Sequence, residues 1–299
     1  MKKKSKANRL TMGDIIFDAV DVLVMAVICI VIAYPLYYVL VASFTEPHIV
    51  TSGKLLLYPE QVYMGGYQRI LKYPPIWSGY RNTVLYTVVG TIISLCVTIP
   101  GAYALSRKDM AGRRILMFLF TLTMFFSGGI IPLYMLIQKI NIYDSIWAVT
   151  LPTAVSVWNL IICRTFFESS LPFELYEAAE IDGCSNFGYF FRIALPLSST
   201  VIAVMILFYS TTQWNMFMNA LMFLTNMDRM PLQVILRNLI LVNQVNQLST
   251  DMTAIAEQQK LADQLKFGII VVAALPLLCI YPFIQKYFAK GIMIGSIKG

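Results

Sequence analysis

This sequence predicts an all-α membrane protein with about six transmembrane helices, on three observations. Hydrophobic residues make up 58% of the chain and charged residues 13%, about half the roughly 25% charged share that a water-facing globule carries. The apolar residues gather into six runs long enough to cross hydrocarbon, and none of the runs contains Asp, Glu, Lys or Arg. Lys and Arg stand instead at the ends of the runs, where a membrane protein keeps them.

Taken in order, segment 1–21 carries Lys2, Lys3, Lys4, Lys6 and Arg9 and reads as cytoplasmic. The first span is 22–44. A cleaved signal peptide does not account for it, because the run exceeds the usual length of about 7–15 residues and no small-x-small site follows it. An outer loop, 45–82, has turn signals at Met64-Gly65-Gly66 and Tyr73-Pro74-Pro75. Spans 83–106 and 115–137 follow, joined by a very short loop that holds Arg107, Lys108, Arg113 and Arg114. Span 145–163 leads into a cytoplasmic loop, 168–197, and span 198–224 into a second outer loop, 225–266, with Asn and Gln repeated through 241–248. The last span is 267–285. Residues 22–299 thus form one transmembrane domain, and no linker divides the chain. Pro35, Pro100, Pro132, Pro152 and Pro276 lie in or near spans, where neighbouring helices re-satisfy the backbone groups that a proline frees.

Fourteen of the 23 Lys and Arg fall on one side of this arrangement, in shorter segments, and nine on the other. The positive-inside rule therefore puts both termini in the cytoplasm of a multi-pass cell-membrane protein. The net charge of +7 is this asymmetry and not a basic face for nucleic acid. Cys29, Cys96, Cys163, Cys184 and Cys279 have no metal-clip or redox spacing and read as small core hydrophobes. His48, the single histidine, reads as a loop residue, so no metal site is expected. Spans without charge argue against an ion-coupled symporter and against an aspartyl intramembrane protease.

The cytoplasmic loop has the punctuation of a short helix. Ser170 is a candidate cap, Pro172 suits the first turn, and Glu174 lies near the positive end of the helix dipole. Ala178 and Ala179 keep one face small, Gly183 ends the turn, and a second short helix is expected from Ser185. A surface helix with small residues and carboxylates suits close approach by a partner protein; an ordinary amphipathic loop helix is the plainer alternative.

Glu177-Ala178-Ala179, Gly183 after three intervening residues, and Ile193-x-Leu195-Pro196 beyond it match the EAA signature of ABC-importer permeases. Arg164-Thr165-Phe166-Phe167, Leu171-Pro172, Asp182-Gly183, Gln213-Trp214-Asn215, Pro231-Leu232-Gln233 and the tail at 290–295 resemble its carbohydrate branch. From about Asn82 onward the chain looks like the maltose-type second permease in the oligosaccharide branch of Gram-positive bacteria. It departs from the pattern at Thr200, where many members carry proline, and at Cys184, where alanine is common.

The resemblance implies the type I importer architecture, with Glu177, Ala178, Ala179, Asp182 and Gly183 as the ATPase-coupling residues. It implies a heterodimer with a second permease, two copies of a cytoplasmic ABC ATPase, an extracytoplasmic sugar-binding lipoprotein and an oligosaccharide moved by alternating access. ATP and Mg would belong to the ATPase, since the chain has no Gly-x-x-x-x-Gly-Lys-Ser/Thr loop; no cofactor, catalytic residue or metal is assigned to this transporter subunit. Polar and aromatic residues inside spans are candidates for the substrate path: Asn82, Trp158, Asn159, Tyr209, Gln213, Trp214, Asn215 and Asn219. Aromatic faces stack on sugar rings and amides bond hydroxyls, although such residues also mark membrane interfaces and join helices. Lys54, Arg69, Lys72 and Arg81 make the first outer loop basic, which suits an acidic oligosaccharide. The alternatives are an ABC permease for a non-sugar solute, a passive six-helix facilitator, which leaves the EAA loop without a use, and a membrane enzyme, for which no His, Asp or Cys cluster is present.

Overall fold

The computed structural model describes residues 12–51, 57–59, 62–245, 265–279 and 282. Segment 1–11 and the tail beyond 282 lie outside them, as does 246–264 of the second outer loop. Helix α1 is Met12–Phe44, followed by the single turn α2, Pro47–Thr51, and by α3, Gly65–Lys72. Then come α4, Pro75–Ser106; α5, Arg113–Phe125; and α6, Ile130–Lys139. The short α7, Ile146–Thr150, runs through a 3₁₀ turn to Thr153 before α8, Val157–Ser170. The segment expected to be the cytoplasmic loop holds α9, Phe173–Ile181, and α10, Asn186–Tyr189. A π-helical turn, Phe190–Ala194, and α11, Leu195–Leu197, lead into α12, Ser199–Trp214. The remaining helices are α13, Met218–Phe223; α14, Leu232–Val245; and α15, Leu265–Cys279. Among the described residues the only β pairing is one antiparallel bridge, Thr45 to Val62.

Two helices, α1 and α4, are each long and apolar enough to cross a membrane unaided. Three further apolar helix pairs are sharply bent, each by its length and composition a broken span or a re-entrant segment. Helices α5 and α6 meet at 113°, α7 with its 3₁₀ turn meets α8 at 52°, and Asn186–Leu197 meets α12 at 79°. Counting each pair once gives five, and the shorter apolar α15 covers the described part of the expected sixth span, 267–285. Within 115–137, 145–163 and 198–224 no helix runs unbroken, and the cause is local. Ser127-Gly128-Gly129 interrupts the first, with Gly129 at φ 82°, a left-handed conformation that glycine adopts without strain. Pro152 stands in the second break. The third helix stops at Trp214, and α13 resumes at Met218.

The described residues form two compact units. One takes the residues up to Ile70 together with those from Asn243 to Val272; the other runs from Leu71 to Val242 and resumes at Ala273. In the first unit the end of α1 is tied down by Tyr67 Oη, which donates to Ser43 Oγ at 2.8 Å, and by stacking of Phe44 on Tyr67. His48 falls in α2, not in a loop, with Nδ1 3.1 Å from Glu46. In the second unit α4 is the axis, and α8 and α12 pack along it. Their shared core includes Ala102, Leu105, Leu160, Cys163, Phe167, Val201 and Met205. Of the five cysteines only Cys163 is such a core residue; Cys29, Cys96 and Cys279 lie on exposed helix faces, where lipid solvates a thiol as readily as a core does.

The N-terminal half of α4 pins the segment before α14. Asn82 Nδ2 donates to the carbonyls of Asp228 (2.7 Å) and Met230 (3.1 Å), and Tyr86 Oη donates to that of Arg229 (2.7 Å). The Leu232 N–H donates to Thr83 Oγ1 at 2.8 Å. Asp144 closes the same corner by accepting from the Thr225 and Asn226 N–H groups and pairing with Arg229. Burial works against its charge, but these N–H donors and the guanidinium outweigh it and hold the carboxyl below its usual range.

Candidate functional site

The loop that carries Glu177–Gly183 folds as two short helices with a hard corner between them. Helix α9 starts at Phe173 behind Pro172, so Pro172 and not Ser170 occupies the cap position; Ser170 ends α8. Glu174 lies in the first turn. At the other end Gly183 takes φ 78°, its N–H donates to the Glu180 carbonyl, and the Cys184 N–H reaches back to Ala179 O at 2.9 Å. This paired pattern around a left-handed residue is the Schellman cap. Ser185 then caps α10 by accepting from the Gly188 N–H at 3.1 Å. Of the two alanines only Ala179 is buried, against the core; Ala178 faces out with Glu177 and Asp182. Ile181 and Phe187, 86% and 79% exposed, leave apolar side chains on either side of the corner. The loop therefore presents carboxylates, a small residue and two apolar side chains on a rigid frame, a composition suited to a protein partner.

Beneath it lies a platform on the loop that joins α4 to α5. Arg107 binds Asp109 through Nε and Nη2 at 2.8 and 2.6 Å, and its guanidinium lies 3.4 Å from the centroid of the Tyr176 ring of α9. The Arg107 hydrogen bonds hold the Asp109 carboxyl below its usual range. Tyr176 Oη donates to Asn186 Oδ1 at 2.8 Å, and its ring meets Tyr189 edge-on. Tyr103, near the end of α4, contacts Phe167, Tyr189 and Phe190. A second set of charges joins Arg164 of α8 (2.6 Å) and Arg113 of α5 (3.4 Å) to Glu168. A cavity of about 460 Å³ lies between these groups and the start of α9.

The candidate path residues separate into two groups. Trp158, Asn159 and Tyr209 line one open groove of about 760 Å³ between the α7–α8 break and α12, together with Thr153, Ser156, Phe208, Thr211 and Thr212. Trp158 is 61% exposed there. Tyr209 is fully buried, with its hydroxyl shared between Thr98 Oγ1 (2.6 Å) and the Ser156 N–H (3.3 Å), so its polar end already ties three helices. Gln213 sits beside the groove: Nε2 donates to Thr153 Oγ1 at 3.0 Å, while its buried Oε1 has no partner. The others lie elsewhere. Asn82 is spent on the carbonyls named above, Trp214 is buried with Nε1 donating to Ala273 O at 3.1 Å, Asn215 is exposed and bonds the Thr211 carbonyl, and Asn219 is half-buried on α13.

Sequence reasoning passed over the groove hydroxyls and the Arg107–Tyr176 contact. Ser and Thr barely alter hydropathy in a span, so Thr153, Ser156, Thr211 and Thr212 gave no signal. Arg107 was read only as a topology charge, although Asp109 two residues on was the visible hint of a paired side chain.

Residues 75–294 match the family model described as binding-protein-dependent transport system inner membrane component. The chain is 41% identical over 278 residues to the polygalacturonan/rhamnogalacturonan transport system permease protein YtcP of Bacillus subtilis (strain 168), covering 93% of this chain and 95% of that one. It is 36% identical over 286 residues to protein LplC of the same organism, covering 95% of each. Among solved structures it is similar to a bacterial ABC transporter involved in the import of the acidic polysaccharide alginate, with a TM-score of 0.78, 29% identity, and 93% and 98% of the two chains covered.

Proposed function

We propose, from the premise that this chain belongs to the family of binding-protein-dependent transport system inner membrane components, that it moves an acidic oligosaccharide inward by ATP-driven alternating access. The chain is a permease subunit of a binding-protein-dependent ABC sugar importer. The ATP-driven mechanism is supported by α9, a helix locked by the Gly183 cap with Glu177, Ala178 and Asp182 exposed, which would give an ATPase subunit a rigid element to push. ATP and Mg would be held by two copies of that ATPase, and nucleotide-driven closure would reach the spans through α9. A second permease would complete the pathway, and an extracytoplasmic lipoprotein would deliver the sugar to the outer loops. Both termini would face the cytoplasm.

The groove suits a saccharide because the exposed Trp158 ring offers a stacking face and Thr153, Ser156, Asn159, Thr211 and Thr212 offer groups that bond hydroxyls. The acidic character of the cargo is supported by the names of the similar proteins and by Lys54, Arg69, Lys72 and Arg81 in the first outer loop.

The test is ATP hydrolysis and sugar uptake by the complete complex in proteoliposomes, with oligogalacturonide as the probe and a neutral arabino-oligosaccharide as the control. Binding protein loaded with oligogalacturonide should stimulate hydrolysis and uptake, and Glu177→Lys should abolish the stimulation. Hydrolysis indifferent to any sugar would sink the importer mechanism, and stimulation by the neutral sugar alone would overturn the acidic cargo.

A further inference from the structure

Arg107 is held by groups from three places. Its guanidinium forks onto Asp109 in the α4–α5 loop, Nη1 lies 3.4 Å from Tyr103 Oη on α4, and its face covers the ring of Tyr176 on α9. The side chain is 13% exposed although it leaves the very end of α4, where its charge also opposes the negative pole of the helix. Tyr176 is fixed in its turn by Asn186 and Tyr189 of α10. The chain of contact from α10 through α9 to the last turn of α4 is therefore continuous, and α4 is the helix along which α8 and α12, the walls of the groove, are packed. A topology charge alone needs only a lysine in water. The planar fork and the stacked ring need arginine, because an ammonium group cannot make both at once.

We infer that Arg107 is a positioning residue for transport: its stacking on Tyr176 clamps the coupling helix to α4, so that displacement of α9 by the ATPase moves the groove walls instead of bending the loop. This rests on the reading of α9 as the coupling helix and adds the connection by which its movement leaves the loop. Couplings between distant sites typically amount to about 5- to 150-fold, and desolvated cation–π contacts reach the lower part of that range. Loss of the clamp should thus lower sugar moved per ATP hydrolysed by about tenfold.

The experiment measures that ratio in proteoliposomes of the complete complex, for the parent, Arg107→Lys, Tyr176→Phe and the double variant Arg107→Lys/Tyr176→Leu. Arg107→Lys keeps the charge and should lose the ratio while sugar still stimulates hydrolysis. Tyr176→Phe keeps the ring and should retain the parental ratio. The double variant should be no worse than Arg107→Lys, since both changes break one contact. If Arg107→Lys does not assemble, Tyr176→Leu, which leaves the Arg107–Asp109 fork, carries the same test. A parental ratio in Arg107→Lys or Tyr176→Leu overturns the clamp. Absence of sugar-stimulated hydrolysis in the parent instead overturns the proposed function.

Discussion

At the scale of single residues the α9–α10 loop depends on one left-handed position. Gly183 has open space where a Cβ would sit, so a substitution there is resisted by its φ of 78° and not by a clash. Alanine should cost the α9 cap about 1–2 kcal/mol, whereas asparagine, which tolerates this region, should cost less. Hydrogen exchange at the Cys184 amide, which reports the bond to Ala179 O, should accelerate in Gly183→Ala and change little in Gly183→Asn. Equal protection in parent and Gly183→Ala would show that the corner is held by other contacts. The cap itself was legible in the sequence as glycine after a short helical pattern. The two alanines were not separable in that way, because only the packing of α9 against the core decides that Ala179 is inside and Ala178 outside.

At the scale of elements, the seam between α4 and α12 is set by the approach of a side chain to a bare backbone. A Cβ on Gly90 would lie 2.5 Å from Gln213 Cδ, so alanine there must displace the carboxamide and disturb its bond to Thr153. Gly90→Ala should destabilise the protein by about 1–3 kcal/mol, seen as a lower unfolding midpoint in detergent. In a Gln213→Ala background the same substitution should be nearly silent. Additive losses in the double variant would contradict this packing. The helices of this seam were legible as charge-free runs, and so was the start of α10 at Ser185. The bends were not. Gly128-Gly129 and Pro152 are tolerated equally in straight and in broken membrane helices, and hydropathy counts residues without regard to direction. Tertiary partners decided the fate of Asn82 and Trp214 as well, which the sequence offered as path residues and which the fold uses as ties.

At the scale of the whole permease, the groove proposed as the sugar path has no charged residue in its wall. None of the groove residues is ionisable apart from the buried phenol of Tyr209. A sugar held there, as proposed, would be bound by stacking and neutral hydrogen bonds, and any carboxylates of the cargo would be met elsewhere, the basic segment 45–82 being the proposed place. Trp158 and Tyr209 make this separable. The exposed Trp158 ring is available to a pyranose face, and an aromatic stacking contact is worth about 0.5–1.5 kcal/mol beyond its area, so Trp158→Ala should raise the half-saturating sugar concentration roughly 2- to 12-fold. Trp158→Phe should recover most of it. Tyr209→Phe, in contrast, removes a hydroxyl already engaged with Thr98 and Ser156, and should lower the unfolding midpoint while leaving sugar affinity near the parental value. Uptake titrations in proteoliposomes, read beside thermal unfolding of the same complexes, distinguish the two. Unchanged affinity in Trp158→Ala, or a loss in Tyr209→Phe as large as in Trp158→Ala, would move the sugar away from this groove.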